Sequence, residues 1–367
     1  VFLSHIPTAG FHEIADQCKL EVSLAYNISA EKVRAENVSH DERARDRGIV
    51  AERYLLSLGP LSTVFTAPIR IIQGARRNEK DDESVKTRNL ALSAFDFPFH
   101  ISPTCIAALY HFNQQVRPVA LDQATLSSYR DLLALTPTDE LLAVLSLTYI
   151  QRIIRKRIQQ EDWQEFESLF HTHMELGYLL GGYLNNVGSG MGMMLAGLRY
   201  LSTGVLFLHD PKAYLRQQKK CERAKILFNC EEEEALWGCN HLDIAGALSS
   251  ALGHGLGFRM AFGMEGYAKT LDPSFRSVVD TISLEVRGTR ALIGGVESLH
   301  STGSLKTLVR SGELEQLVIE IESQASDILK EFNFSWITKT REELPDFVRA
   351  VLDSNDLGAS QQDKFEV

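Results

Sequence analysis

Three neighbouring stretches decide how this chain reads: FHTHMELGYLLGGYL at residues 170–184, GSGMGMMLAGLRYLSTGVLFLHDPKAY at 188–214 and EEALWGCNHLDIAGAL at 233–248. Each is too apolar for a surface and too long, between Gly-bearing turns, for a strand. They predict three or more packed helices at the centre of a helical domain, spanning Trp163 to Phe258. Around the first, Trp163, Phe166, Phe170, Met174, Gly177, Gly181 and Leu184 recur at steps of three and four, the period of one helix face. A glycine inside a helix costs about 1 kcal/mol. Gly177 and Gly181 therefore read as points of close helix–helix approach. Gly188, Gly190 and Gly192 read as a flexible turn. They do not form G-x-G-x-x-G, and a helix rather than a strand precedes them, so no dinucleotide loop is expected.

Working upstream, Thr136-Pro137-Thr138-Asp139 signals a helix start, with Thr136 as cap and Pro137 at the first position. FDFPFHISPTC (95–105) reads as an extended, Pro-punctuated lead-in. Gly74 to Arg88 carries nine charged residues in fifteen and reads as a linker. Before it, Leu20–Tyr26 and Thr63–Ile72 fit strands, the latter on an edge because of Pro68, with a charged helical stretch between them. Residues 1–88 are thus expected to form an α/β or mixed accessory region.

Downstream, CERAKILFNCEEEEALWG (221–238) reads as one charged helix. Another helical pattern starts at Asp272-Pro273 and runs through Val286, and Ser301–Ser304 reads as a loop. Glu313 to Phe332 places Leu314, Val318, Ile321, Ala325, Ile328 and Phe332 on one face. That face suits packing on its own domain, or a homodimer seam. The expected fold class is mainly α, with a helical domain over 89–335, then a C-terminal helix and polar tail over 336–367.

Composition narrows the function classes. Of 367 residues 44% are apolar and 23% charged, and the net charge is −10, which argues against nucleic acid as the main partner. The basic cluster Arg152, Arg155, Lys156 and Arg157 ends a helix, where positive charge suits the dipole. Five scattered cysteines (Cys18, Cys105, Cys221, Cys230 and Cys239) point to a reducing compartment. The apolar run Met191–Leu208 is broken by Arg199 and Ser202-Thr203-Gly204, which makes it a core helix rather than a membrane span. VFLSHIPTAG at residues 1–10 lacks the basic and apolar regions of a signal peptide. A cytoplasmic protein is expected.

Candidate chemistry is sparse. His209-Asp210 could give a metal two adjacent ligands, yet Pro211 follows at once, so the pair reads as a helix terminator. His171 and His173 stand two apart on a helix and point in different directions. Cys221, Cys230 and Cys239 are nine apart, too far for zinc pairs, and only Cys239-x-His241 comes close. Glu231 to Glu234 reads as an exposed acidic run. There is no nucleophile elbow, P-loop or H-E-x-x-H.

Taken in order, these pieces resemble the HDOD domain, a non-catalytic bacterial relative of the HD-type metal phosphohydrolases, over roughly Phe95 to Leu329. FPFHISP (97–103) is similar to its Pro-rich lead-in, and DELLAVLSLTYIQRII (139–154) to the helix before the core. FHTHMELGYLLGGYL resembles its aromatic-x-x-Ser helix, with Phe170 at the aromatic and His173 at or beside the Ser. EEALWGCNHLDIAGAL is close to E-x-x-x-x-G-x-x-H-x-x-x-G-x-x-L, with Glu234, Gly238 or Cys239, His241 and Ala245-Gly246 in or near register. MMLAGLRYLSTGVLFLHDPKAY (193–214) resembles the segment where active relatives read A-G-L-L-H-D-I-G. Here the pair falls on Tyr200-Leu201 or Leu201-Ser202, depending on the anchor.

The resemblance implies a bacterial signal-transduction or regulatory module without catalytic residues or cofactor, acting through protein partners. It implies fold-bearing roles for Gly177, Gly181, Gly204, Trp237 and His241, with His241 hydrogen-bonded in the core. It also frames the alternative, a divergent metal-dependent phosphohydrolase. That enzyme would use His171 or His173, beside the expected first ligand at Thr172, together with His209, Asp210 and Asp280.

Overall fold

The computed structural model describes residues 38–78, 85–184, 187–255, 258–259, 262, 276–306, 308, 315–346 and 348–350. The expected strand at Leu20–Tyr26, the helix start at Asp272-Pro273 and the polar tail beyond 350 lie outside them. The described residues form a mainly α fold with no strand among them. In chain order the helices are α1 (Val38–Leu56), α2 (Thr63–Asn78), α3 (Val85–Ile101), α4 (Pro103–Val116), α5 (Pro118–Gln123), α6 (Tyr129–Leu135) and α7 (Thr138–Arg155). Then come α8 (Gln160–Tyr183), α9 (Ser189–His209), α10 (Pro211–Ala224), α11 (Cys230–Trp237), α12 (His241–Leu252), α13 (Arg276–Thr302) and α14 (Glu315–Lys330). Two 3-10 turns, Ser335–Thr338 and Arg341–Glu343, follow.

The centre is α9, whose residues 190 to 207 are all buried. Helices α7, α8, α10, α12 and α13 pack around it. It is long and apolar enough to cross a membrane, but nearly all of it is enclosed by the rest of the bundle. The seam with α8 is its tightest side. A Cβ on Gly192 would collide with the Gly177 carbonyl and the Gly181 Cα. Only hydrogen at these positions lets the two backbones meet. Gly190 and Gly192 are thus the first turns of α9 rather than a flexible turn; only Gly188 stands outside the helix, with φ +79°. Gly204 is pressed against Phe166 and Ile154.

Several local expectations are overturned. Thr63–Ile72 is helix, not strand, because Thr66, Ile69, Ile72 and Gln73 bury at steps of three and four, with Pro68 buried beside them. Tertiary packing outweighs the β-branched composition. FDFPFHISPTC is not extended. Helix α3 runs through Pro98 to Ile101; Ser102 Oγ then caps α4 by accepting from Cys105 N at 3.3 Å. The charged segment 74–88 is helical up to Asn78 and again from Val85. The α7 cap is Pro137, one residue later than expected, because Thr136 Oγ1 donates to Leu132 O at 2.8 Å and accepts from Asn113 at 2.8 Å. The stretch 221–238 is two helices, broken where Lys225 adopts φ 55°.

Helices α1 and α2 both pack on α12, so the described part of the N-terminal region shares the central core and is helical rather than mixed. The α14 face of Val318, Ile321 and Ala325 is buried, and α14 packs on α8. Tyr183 of α8 donates to Glu320 at 3.0 Å and accepts from Gln324 at 3.0 Å. Beyond α14, Trp336 is fully buried with its ring 5.4 Å from that of Phe112.

Candidate functional site

One charge sits in the middle of the apolar α9 helix. Arg199 is 3% exposed, and it organises a polar centre between α8, α9, α11, α12 and α13. Its Nε donates to His241 Nε2 at 3.2 Å, and its Nη2 to Glu297 Oε2 at 3.0 Å. Its guanidinium lies 4.5 Å from the Phe228 ring centre, a cation–π distance. Because arginine only donates, His241 Nε2 is the accepting nitrogen and Nδ1 carries the proton. Nδ1 donates to Glu233 Oε2 at 2.7 Å, and the His241 backbone N–H donates to the same oxygen at 2.8 Å.

The local chain is built to hold His241 there. Gly238 ends α11 in the left-handed region, φ 73°. Asn240 then starts α12 with a capping box: its Oδ1 accepts from Leu242 N at 2.9 Å and Asp243 N at 3.0 Å, while Asp243 accepts from Asn240 N at 3.0 Å. Arg47 of α1 ties this corner down by donating to Asp243 at 3.2 Å and Glu234 at 3.4 Å. Tyr54 of α1 donates to the Trp237 carbonyl at 3.1 Å, and Trp237 is buried. Burial alone would raise the Glu233 carboxyl; His241 and Arg199 outweigh it and hold it below its ordinary value.

The other side of the centre is unsatisfied. His173 is fully buried, and neither ring nitrogen has a hydrogen-bond partner among the described residues. Its ring centre lies 4.9 Å from that of Tyr200 and 5.0 Å from that of His300. Burial, then His300, Arg199 and His241, push it well below the ordinary histidine value. His300 Nδ1 and Arg199 Nη1 are likewise unpaired among the described residues.

The remaining candidates do not converge here. His171 is buried on another side of α8, with its ring 5.6 Å from that of Phe332, and burial drops it to about 4. His209 is exposed at the end of α9, 4.4 Å from the Tyr54 ring. It lies nine residues, or roughly 13 Å, along the helix from Tyr200, which touches His173. Asp210 closes α9 and caps α10, accepting from Ala213 N at 2.9 Å. Asp280 lies on α13, but its side chain is outside the described residues.

Among the described residues a metal has one candidate seat, at Cys230, Glu233 and His241, whose ligand atoms lie within 4.8 Å of one another. Two of the three are already committed. An ion at His241 Nδ1 would break the bond to Glu233 and move the ring proton to Nε2, against the Arg199 N–H. Burial and Glu233 push the Cys230 thiol up to about 12, so the thiolate is strongly disfavoured. The residues fit hydrogen bonding to one another better than they fit a cation beside a fixed guanidinium.

Comparison with protein-family models, with curated proteins and with solved structures finds no match to this chain.

Sequence reasoning missed Arg199, Glu233, Glu297 and His300. Arg199 was visible, as the lone charge in an apolar run. Glu233 was not: four consecutive glutamates read as solvated, yet a helix turns one of them inward, and Glu233 is 3% exposed.

Proposed function

We propose that this chain is a non-catalytic helical module of the HDOD kind, a cytoplasmic regulatory or scaffolding protein that works by binding protein partners. One observation carries the reading. Arg199, a permanent cation, occupies the polar centre and uses the one well-held imidazole there as its acceptor. A hydrolase of the HD type needs several convergent ligands and an open position. Here His171, His173 and His209–Asp210 face three different places. The glycine seam, Trp237 and the His241 network serve the fold under this reading.

The test is phosphodiester hydrolysis by the purified chain in Mn²⁺, using a chromogenic diester. No turnover above buffer is expected. Turnover that disappears in His173→Ala would replace this reading with the metal-dependent phosphohydrolase. His173, fully buried and without a hydrogen-bond partner among the described residues, is the observation that favours that second reading.

A further inference from the structure

Helix α10 concentrates positive charge in an acidic protein. Residues 212 to 225 hold six basic side chains (Lys212, Arg216, Lys219, Lys220, Arg223 and Lys225) against one acid, Glu222, while the whole chain carries −10. All six are exposed. Lys220 pairs with Glu232. Lys212, Arg216, Lys219 and Arg223 have no ion pair among the described residues and form one row. At 100° per residue they fall within about 60° of one another, opposite the buried face of Ala213, Gln217 and Cys221.

Beside this row the helix lines a small, partly open cleft. Leu215 and Gln218, in the sector next to the row, share its wall with Phe166, Tyr200 and Phe207. Leu215 is 37% exposed, the sole large apolar side chain on the outer side of α10. A charged row and an apolar notch thus lie side by side on one element, held rigidly because the opposite face packs on the core.

We infer that the outer face of α10 is a docking surface for an acidic segment of a partner protein that carries one apolar anchor side chain. This rests on the partner-binding reading above and names the surface and the partner chemistry. The row spans about 16 Å, which an extended chain covers in about five residues. Carboxylates of that segment pair with Arg216 and Lys219, and its apolar side chain enters the notch beside Leu215. A nucleic acid fits less well. The overall negative field repels a long polyanion, and a phosphate backbone has nothing to place in the notch. A membrane fits less well because the apolar face of α10 is turned inward.

The test uses the full chain and a fluorescein-labelled short glutamate peptide with one central phenylalanine, read by anisotropy at low salt. Binding is expected, weakening about tenfold in Arg216→Glu/Lys219→Glu and falling with added salt. Replacing the peptide phenylalanine by serine should weaken binding to the wild type, and Leu215→Asp should erase that difference. Circular dichroism of each variant checks that the helices persist; Lys212→Gln/Lys219→Gln gives a milder charge change on the same row. Unchanged affinity in the charge-reversed variant overturns the inference. Tighter binding to a thymidine oligonucleotide or to phosphatidylserine vesicles than to the peptide also overturns it. Failure here leaves the phosphodiester assay blank, whereas failure of the non-catalytic reading appears there as turnover.

Discussion

His241 and His173 are both fully buried at the same polar centre, and the fold treats them in opposite ways. His241 has a partner on each ring nitrogen, and its backbone N–H shares the Glu233 oxygen that Nδ1 uses. His173 has none among the described residues, only aromatic and imidazole neighbours. A buried polar group stabilises only when its hydrogen bonds are made. One histidine is therefore a tie between helices and the other a standing cost. The difference follows from where each is carried. His241 opens a capped helix and meets side chains from α9 and α11. His173 sits in the middle of α8, where its own backbone is already paired and only the neighbouring helices can serve it.

The sharpest way to break this comparison is to remove one partner from each side. Glu233→Ala leaves two buried donors, the His241 Nδ1–H and its backbone N–H, without their carboxylate, while Arg199 keeps Glu297. Two hydrogen bonds to a charged acceptor are lost, and we expect a cost of about 3–5 kcal/mol. His173→Leu removes no hydrogen bond and is expected to cost less than about 1.5 kcal/mol. Urea unfolding of both variants measures this. Similar losses would mean that His173 is served by groups beyond the described residues.

The helix pair that carries His173 and Arg199 sharpens the contrast. Gly192→Ala places a methyl against the Gly177 carbonyl and must push α8 from α9. A loss of about 1–3 kcal/mol is expected. If the seam opens, His173 gains solvent and its depressed titration should relax. NMR titration of the ring in this variant would detect the shift.

pH tests whether the unpartnered buried rings are held neutral. His171 and His173 have folded values below the ordinary 6.5, so they stay neutral in the fold and protonate in the unfolded chain. Stability from them is complete above 6.5 and is lost as pH falls. For His171 the loss continues to about 4. Each should remove about 1.4 kcal/mol per pH unit within its window. Thermal melts between pH 7.5 and 5.5 should show this slope, and His171→Phe/His173→Phe should flatten it. A pH-independent melting temperature in the wild type would remove the claim that these rings are held neutral.

Long apolar helices were legible from the sequence because period and length both spoke. The α8–α9 seam was visible in Gly177 and Gly181, whose helix cost demands a compensating close approach. Thr63–Ile72 was misread because its β-branched residues favour a strand locally while its burial is decided by α12 and α3. The polar centre was half legible. His241 stood out through the E-x-x-x-x-G-x-x-H spacing around it. Its partners lie 8 and 42 residues away, at Glu233 and Arg199, and no local pattern pairs them.

The smallest effect bears on the His209–Asp210 dipeptide, which a metal reading would make central. Asp210 accepts from Ala213 N at the start of α10, and His209 is exposed against Tyr54. If that is their whole role, Asp210→Ala costs about 1 kcal/mol, the value of an N-cap. Asp210→Asn, which still accepts, costs a few tenths. His209→Ala, an exposed side chain, stays within about 0.5 kcal/mol. These values are measurable by urea titration against the wild type. The Asn variant carries the distinction: a cap tolerates it, whereas a metal carboxylate does not. Matched stability and unchanged metal content in Asp210→Asn would place the dipeptide with the helix ends, far from the buried pair that α9 holds at Arg199 and His241.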